Sequence, residues 1–191
     1  MTVKQTTVEV NARKDRILTA ATEVFQRYGY ARTKMSDIAD ACGISRPALY
    51  LLFQNKDDIF VAVIERIGRD GLYEFRVLSP SLGPLGDRLH YFCEKWGLYG
   101  YEVMQAHPDA RDFFDLHFPA VQRMYDDFED FLTEVLTKAV PRWSLKSTPR
   151  DMARNTIYAM RGFKEAAKDG SEMKRMISFQ VDALITAING H

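Results

Sequence analysis

Between residues 33 and 56 the chain reads TKMSDIADACGISRPALYLLFQNK, and here side chains able to do chemistry fall in a usable pattern. Arg46, Pro47, Ala48, Tyr50 and Leu51 share one side of a helix. Leu49, Leu52 and Phe53, at i, i+3 and i+4, share the other and must enter a core. An outer face of one guanidinium, one phenol and small groups is narrow enough to approach base edges in a major groove and polar enough to donate to them. The same spacing also suits an αα-hairpin inside an ordinary helical domain. Catalysis has less support. There is no nucleophile elbow and no phosphate-cradling glycine loop, and the Asp and Glu residues sit on amphipathic helices as a solvated face. His90, His107 and His117 have no i, i+4 pairing with one another or with cysteine, so no metal site, catalytic residue or cofactor is expected.

Local signals explain how the 33–56 stretch would hold its outer face in place. The Thr33 hydroxyl is expected to cap a first short helix on which Ile38, Ala39 and Cys42 line one face. Gly43 stops it by taking a left-handed conformation without a Cβ penalty. Ile44 plugs the angle, Ser45 caps the second helix, and Pro47 sits where a missing N–H costs nothing. A preceding helix, capped by Asn11 and ending at Gly29, presents Ile17, Leu18, Ala21, Val24, Phe25 and Tyr28 to the same core. Residues 1–10, polar and without a partner, read as a flexible arm. A long helix from Asn55 or Lys56 to about residue 77 carries Ile59, Phe60, Val63, Ile64, Ile67 and Phe75, with Gly68 and Gly71 weakening it midway at about 1 kcal/mol each relative to Ala.

The segment LSPSLGPLG, 78–86, reads as a linker. Beyond it the pattern is helical throughout: 85–107, 108–118, 119–140, 148–169 and 171–188, with Pro108 and Pro119 at N1 positions and Thr148 and Ser171 as caps. The expected fold is therefore all-α, of about nine helices. A helix-turn-helix domain at 11–56 is linked through helix 57–77 to a larger helical domain at 78–191.

The 191 residues are 46% hydrophobic, enough to fill a sizeable core. Net charge is +0, which argues against a general nucleic-acid binder. From residue 12 to 56, however, eight Lys and Arg stand against four Asp and Glu, an excess that two-fold symmetry would double on one surface. Cys42 and Cys93, far apart and each in an apolar helical pattern, suggest reduced, cytoplasmic usage rather than a disulfide framework. No run approaches the ~18 uncharged apolar residues of a membrane span. The N-terminus shows neither the apolar core nor the cleavage pattern of a signal peptide.

The order GYARTKMSDIADACGISRPALYLLFQNKDDIF, preceded by RKDRILTAATEVFQRYGY, resembles the N-terminal domain of the TetR family of bacterial transcriptional regulators. The resemblance covers roughly residues 11–67. It rests on a Gly ending the first helix, a Thr, an Ile-Ala pair, a Gly-Ile-Ser turn, Leu-Tyr-x-x-Phe, and a following Lys and Phe. It implies that Arg46 and Pro47 read bases, the arginine forking onto a guanine and the proline packing on a thymine methyl. By the same resemblance Tyr50 and Lys56 contact phosphates, while Thr33, Lys34 and Ser36 touch the backbone or a flanking base. Leu51, Leu52 and Ala48 depart from the His, aromatic and Thr residues common in the family, so the phosphate clamp is either weaker than is usual there or leans on Arg46 and Tyr50.

The 85–140 region carries a heavy aromatic load. Large rings fill helical cores, but aromatic and Met side chains with a few polar groups also line ligand cavities. The family resemblance implies a small-molecule inducer here. Trp96, Tyr99, Met104, Phe114, His117, Met124 and Tyr125 are the candidate lining residues. In MKRMISFQVDALITAI, Met176, Ile177, Gln180, Val181, Leu184 and Ile188 form a stripe that Phe179, Ala183 and Ala187 widen, so this helix needs two partners. With Met160 and Gly162 on the preceding helix, the resemblance implies a homodimer through a four-helix bundle. A symmetric dimer calls for an inverted-repeat operator in double-stranded DNA. The expectation is a homodimeric repressor released by a small, largely apolar or aromatic ligand. A protein partner for the C-terminal domain is the first rival and a helical enzyme with an apolar pocket the second.

Overall fold

Residues 3–28 contain neither glycine nor proline, and the chain is helical without interruption until Gly29. In the computed structural model, which describes residues 3–140 and 145–189, α1 spans Val3–Arg32 with a break at Gly29 (φ 73°, ψ 161°). The expected arm is thus helical from Val3, and Asn11 lies inside α1 rather than capping it; Met1 and Thr2 fall outside the described residues. Then follow α2 (Met35–Ala41), α3 (Arg46–Tyr50), α4 (Lys56–Leu78), a 3-10 turn (Ser79–Leu82), α5 (Leu85–Ala106), a second 3-10 segment (Pro108–Phe114), α6 (Pro119–Ala139), α7 (Pro149–Ala166) and α8 (Gly170–Asn189). The fold is all-α.

Several boundaries differ from expectation for local reasons. The helix expected over 108–118 is a 3-10 segment that stops at Phe114. Asp115 is extended, its carboxylate accepts the His117 backbone N–H at 2.9 Å, and Pro119 keeps Phe118 out of the helical region. At the start of α8 the cap is Asp169, whose Oδ1 accepts the Glu172 N–H at 2.7 Å, rather than Ser171. Thr148 caps α7 as expected, in a reciprocal box with Asp151.

Gly68 and Gly71 do not weaken α4 to no purpose. A Cβ at Gly68 would stand 3.0 Å from Met124 Cγ and one at Gly71 would meet Phe128 Cζ at 3.4 Å, so the pair lets α4 lie close against α6. The core is continuous from Ile17 on α1 to Leu184 on α8. Phe60 sits at its junction. Its ring contacts Phe25 and Tyr30 from α1 at 5.3 and 4.9 Å, and Phe113 and Phe118 from beyond α5 at 5.6 and 4.9 Å. A second aromatic group joins Phe75, Phe92, Trp96, Tyr125, Phe128 and Phe131 from α4, α5 and α6.

Candidate nucleic-acid interface

α3 is short, and its orientation is fixed from both ends. Ser45 Oγ accepts the Ala48 N–H at 3.3 Å, and Gly43 (φ 63°) turns the chain between α2 and α3. Leu49 is fully buried and Phe53 nearly so, alongside Ile38 and Ala39 of α2. What remains outward is the expected face: Arg46, Pro47, Tyr50 and Leu51 are exposed and Ala48 is partly exposed, with Leu51 at 84%. Leu51 is an apolar group left in water at the C-terminal end of this face.

The flanking residues divide. Lys34 is exposed and Ser36 partly so; Lys34, not Thr33, is the N-cap of α2, with its backbone N–H bonded to Asp37 Oδ2 at 2.8 Å. Thr33 is 2% exposed, and its hydroxyl donates to Gly29 O at 2.7 Å, which the Thr33 N–H also reaches at 3.2 Å. Its side chain therefore closes the broken end of α1 and faces no partner. Replacing Thr33 by Val is expected to lower stability by about 1 kcal/mol in urea denaturation. Lys56 is likewise drawn inward: Nζ donates to Tyr30 O at 2.7 Å and lies 4.3 Å from the Tyr30 ring centroid. The ammonium expected at a phosphate is occupied in holding α4 to the end of α1.

A seam joins this unit to the rest of the chain. The Tyr30 N–H donates to Asp112 Oδ2 at 2.7 Å, Arg32 pairs with Asp109, and a Cβ on Gly29 would come within 2.7 Å of Asp109 O. The Tyr30 hydroxyl donates to Asp57, and burial together with that carboxylate pushes it up to about 12. Sequence reasoning missed Asp109 and Asp112, because nothing local distinguishes them from other solvated carboxylates.

The body holds a cavity of about 410 Å³ between α4, α5 and α6. Of the candidate ligand residues it brings together Trp96, Tyr99, Phe114 and Met124, with Ile67, Gly71 and Phe75 of α4 on the facing wall. Met104 lines a neighbouring cleft instead, Tyr125 is buried beneath the wall, and His117 is outside altogether, its exposed ring bonded to Asp115. Missed from the sequence was Lys164, 3% exposed, with Nζ 3.4 Å from the Tyr125 hydroxyl and within 4.5 to 5.8 Å of the Phe114, Trp96 and Tyr125 ring centroids. Burial, with a smaller contribution from Arg161, pulls its amine down to about 7. Among the described residues no group of three or more His, Cys, Asp and Glu side chains is placed to hold a metal ion, and no helix is long and apolar enough to cross a membrane. Cys93 is buried, and Cys42 partly so; both are free thiols raised by burial.

On α8 and α7, Phe179 stands 75% exposed, Ala183 and Gly162 are exposed, and Met176 and Ala187 are partly covered. Met160 is 0% exposed and faces the core of its own chain, so it is removed from any intermolecular surface. The family resemblance put it at a dimer interface, but its side chain is already consumed by packing within the chain.

A buried tri-helical unit with an exposed polar third helix, joined by a long shared helix to an all-helical body, defines a helix-turn-helix protein. Residues 17–63 match the family model for bacterial regulatory proteins of the tetR family. The HTH-type transcriptional regulator RutR of Escherichia coli K12 is 29% identical over 105 residues, 55% of this chain and 47% of that protein. TtgR of Pseudomonas putida is 34% identical over 86 residues, 44% of this chain and 41% of that protein. The chain thus spans less than half the length of these relatives. Among solved structures, the fatty acid degradation regulator FadR of Bacillus halodurans aligns with a TM-score of 0.71 at 14% identity, covering 88% of this chain and 94% of that one. SmeT, the repressor of the Stenotrophomonas maltophilia multidrug efflux pump SmeDEF, aligns at 0.70 with 22% identity, covering 91% and 89%. The likeness to the TetR family of bacterial regulatory proteins is carried by residues 17–63, within the N-terminal helices.

Proposed function

We propose that this protein is a sequence-specific DNA-binding transcriptional regulator, acting as a homodimeric repressor that a small, largely apolar or aromatic ligand releases from an inverted-repeat operator. The observation that carries the reading is the outward face of α3: Arg46, Pro47 and Tyr50 project from a helix whose opposite side is locked into the core by Leu49 and Phe53. Arg46 forks onto a guanine, Tyr50 and Lys34 meet phosphates, and the exposed Phe179 and Ala183 of α8 support pairing of two copies across a two-fold axis.

Two routes connect the cavity to the reading head. α4 lines the cavity through Ile67, Gly71 and Phe75 and begins beside α3. The Pro108–Phe114 segment touches the cavity through Phe114 and grips α1 through Asp109 and Asp112. A ligand moves these elements only if it binds the released and DNA-bound states with different affinity. Selection from a random duplex library at two salt concentrations tests the reading. An inverted repeat should be enriched, and Arg46→Ala should weaken binding to it by about 1–3 kcal/mol while relaxing the preference at one base pair per half-site. Binding that lacks sequence preference and ignores Arg46→Ala would sink it.

A further inference from the structure

The wall between the 410 Å³ cavity and the neighbouring cleft of about 560 Å³ has an unmet electrostatic demand. Lys164 and Arg161, i and i+3 on α7, both line the cleft. Arg161 Nε is buried without a hydrogen-bond partner. Lys164 Nζ has one long hydrogen bond, to Tyr125, and is otherwise enclosed by aromatic faces and by Gly100, where a Cβ would come within 2.7 Å of it. Among the described residues no carboxylate lies within 4.0 Å of that nitrogen.

Of the acids around the cleft, Glu165 follows Lys164 on α7 and makes no ion pair with either cation among the described residues, and the other two are engaged elsewhere. Asp112 accepts the Tyr30 N–H, and Asp115 accepts both the backbone and ring N–H of His117. A buried amine without an anion is costly, and removing one partner of such a pair typically leaves that cost standing. The site therefore lacks an acceptor rather than a donor. Phe114 lines both spaces, and Trp96 and Gly100 beside Lys164 Nζ line the cavity, so the two cations and the apolar space lie on either side of one thin aromatic wall.

We infer that the effector is an organic acid: its carboxylate binds between Lys164 and Arg161, and its apolar or aromatic body fills the cavity lined by Trp96, Met124 and Phe128. This rests on the reading of the body as a small-molecule site and adds the chemical class. The remaining charged groups around the cleft are Arg111, Asp112 and Asp115 from the 3-10 segment and its end, and Glu165 from α7; Tyr125 faces Lys164 from α6, and α5 presents only Met104 and Gln105. With the amine brought down to about 7, an arriving carboxylate restores its proton. Binding then takes up a proton above neutral pH, and affinity falls roughly tenfold per pH unit beyond about 7.

The test is calorimetric titration of the full chain with octanoate and 3-phenylpropanoate, each against its neutral amide, at pH 6.5 and 8.5 in two buffers of different ionisation enthalpy. The acids are expected to bind at least tenfold tighter than their amides at pH 6.5. That advantage should shrink at pH 8.5 with proton uptake, and Lys164→Met, a volume-conserving change in an aromatic surround, should erase it. Lys164→Arg, permanently charged, should keep the preference and lose the pH dependence. Equal binding of acids and amides, or a preference that survives Lys164→Met, would overturn the anion assignment while leaving an apolar effector site. No binding by any of the four would overturn both.

Discussion

Gly29→Ala is expected to destabilise the protein by about 3 kcal/mol or more, lowering the melting temperature by roughly 10 °C for a chain of this size. Two independent costs coincide at this residue. Its φ of 73° and ψ of 161° lie in a region that only glycine occupies readily, and an added Cβ would sit 2.7 Å from the backbone oxygen of Asp109. That oxygen belongs to a segment bonded to Tyr30 and Arg32, so it has little freedom to retreat. Gly43 provides the control: its φ is 63°, but nothing lies within 4 Å of its missing Cβ. Gly43→Ala should therefore cost only the backbone term, about 1 kcal/mol. Equal losses at both positions by thermal and urea unfolding would remove the contact from the account. Because Thr33 closes onto Gly29 O and leads directly into α2, Gly29→Ala should also weaken DNA binding more than its stability loss explains.

Lys164→Met is expected to stabilise the fold at neutral pH and to flatten its pH dependence. The amine titrates near 7 when buried, against an ordinary value near 10.4 in the unfolded chain. Between those values the unfolded state binds more protons, so stability must rise with pH through the window, by at most about 1.4 kcal/mol per unit. Below about 7 both states are protonated and the burial cost stands in full. Cys93 works in the opposite direction at higher pH: burial raises its thiol well above the usual range, so the unfolded chain ionises first and stability is lost above about 9. Urea denaturation between pH 7 and 8.5 isolates the lysine. The wild-type midpoint should climb across that interval and that of Lys164→Met should stay level, starting higher. Parallel slopes for the two proteins would show that the amine keeps its proton in the folded state.

The helix-turn-helix was legible because its determinants are local. Ser45, Gly43 and Pro47 set the turn within five residues, and the spacing of Leu49, Leu52 and Phe53 decides which side of α3 is buried. The inward contacts of Thr33 and Lys56 were not legible because their partners, Gly29 O and Tyr30 O, are backbone atoms exposed by the break in α1, and the Gly29 that ends the helix does not say which side chains its free carbonyls recruit. Met160 shows the limit of carrying an interface over by resemblance: an apolar residue on the right helix does not say whether its partner belongs to the same chain or another. Lys164 was invisible for a related reason. Its burial depends on Gly100, Phe114 and Tyr125, each contributed by a different element, and a lysine on an amphipathic helix otherwise reads as solvated. The N-terminal helix before Asn11 shows that a polar stretch without Gly or Pro can continue the helix that follows it.

The ring of Phe60, wedged between Phe25 and Tyr30 on one side and Phe113 and Phe118 on the other, bears on how such proteins can be recombined. A hybrid that exchanged C-terminal bodies by cutting after α4 would sever this cluster and strand Asp109 and Asp112 with a foreign α1. The separable unit is not a stretch of sequence. It is the N-terminal helices together with the short segment 108–118 that follows α5, and a functional chimera would have to carry both pieces from one parent or redesign the side chains where they meet.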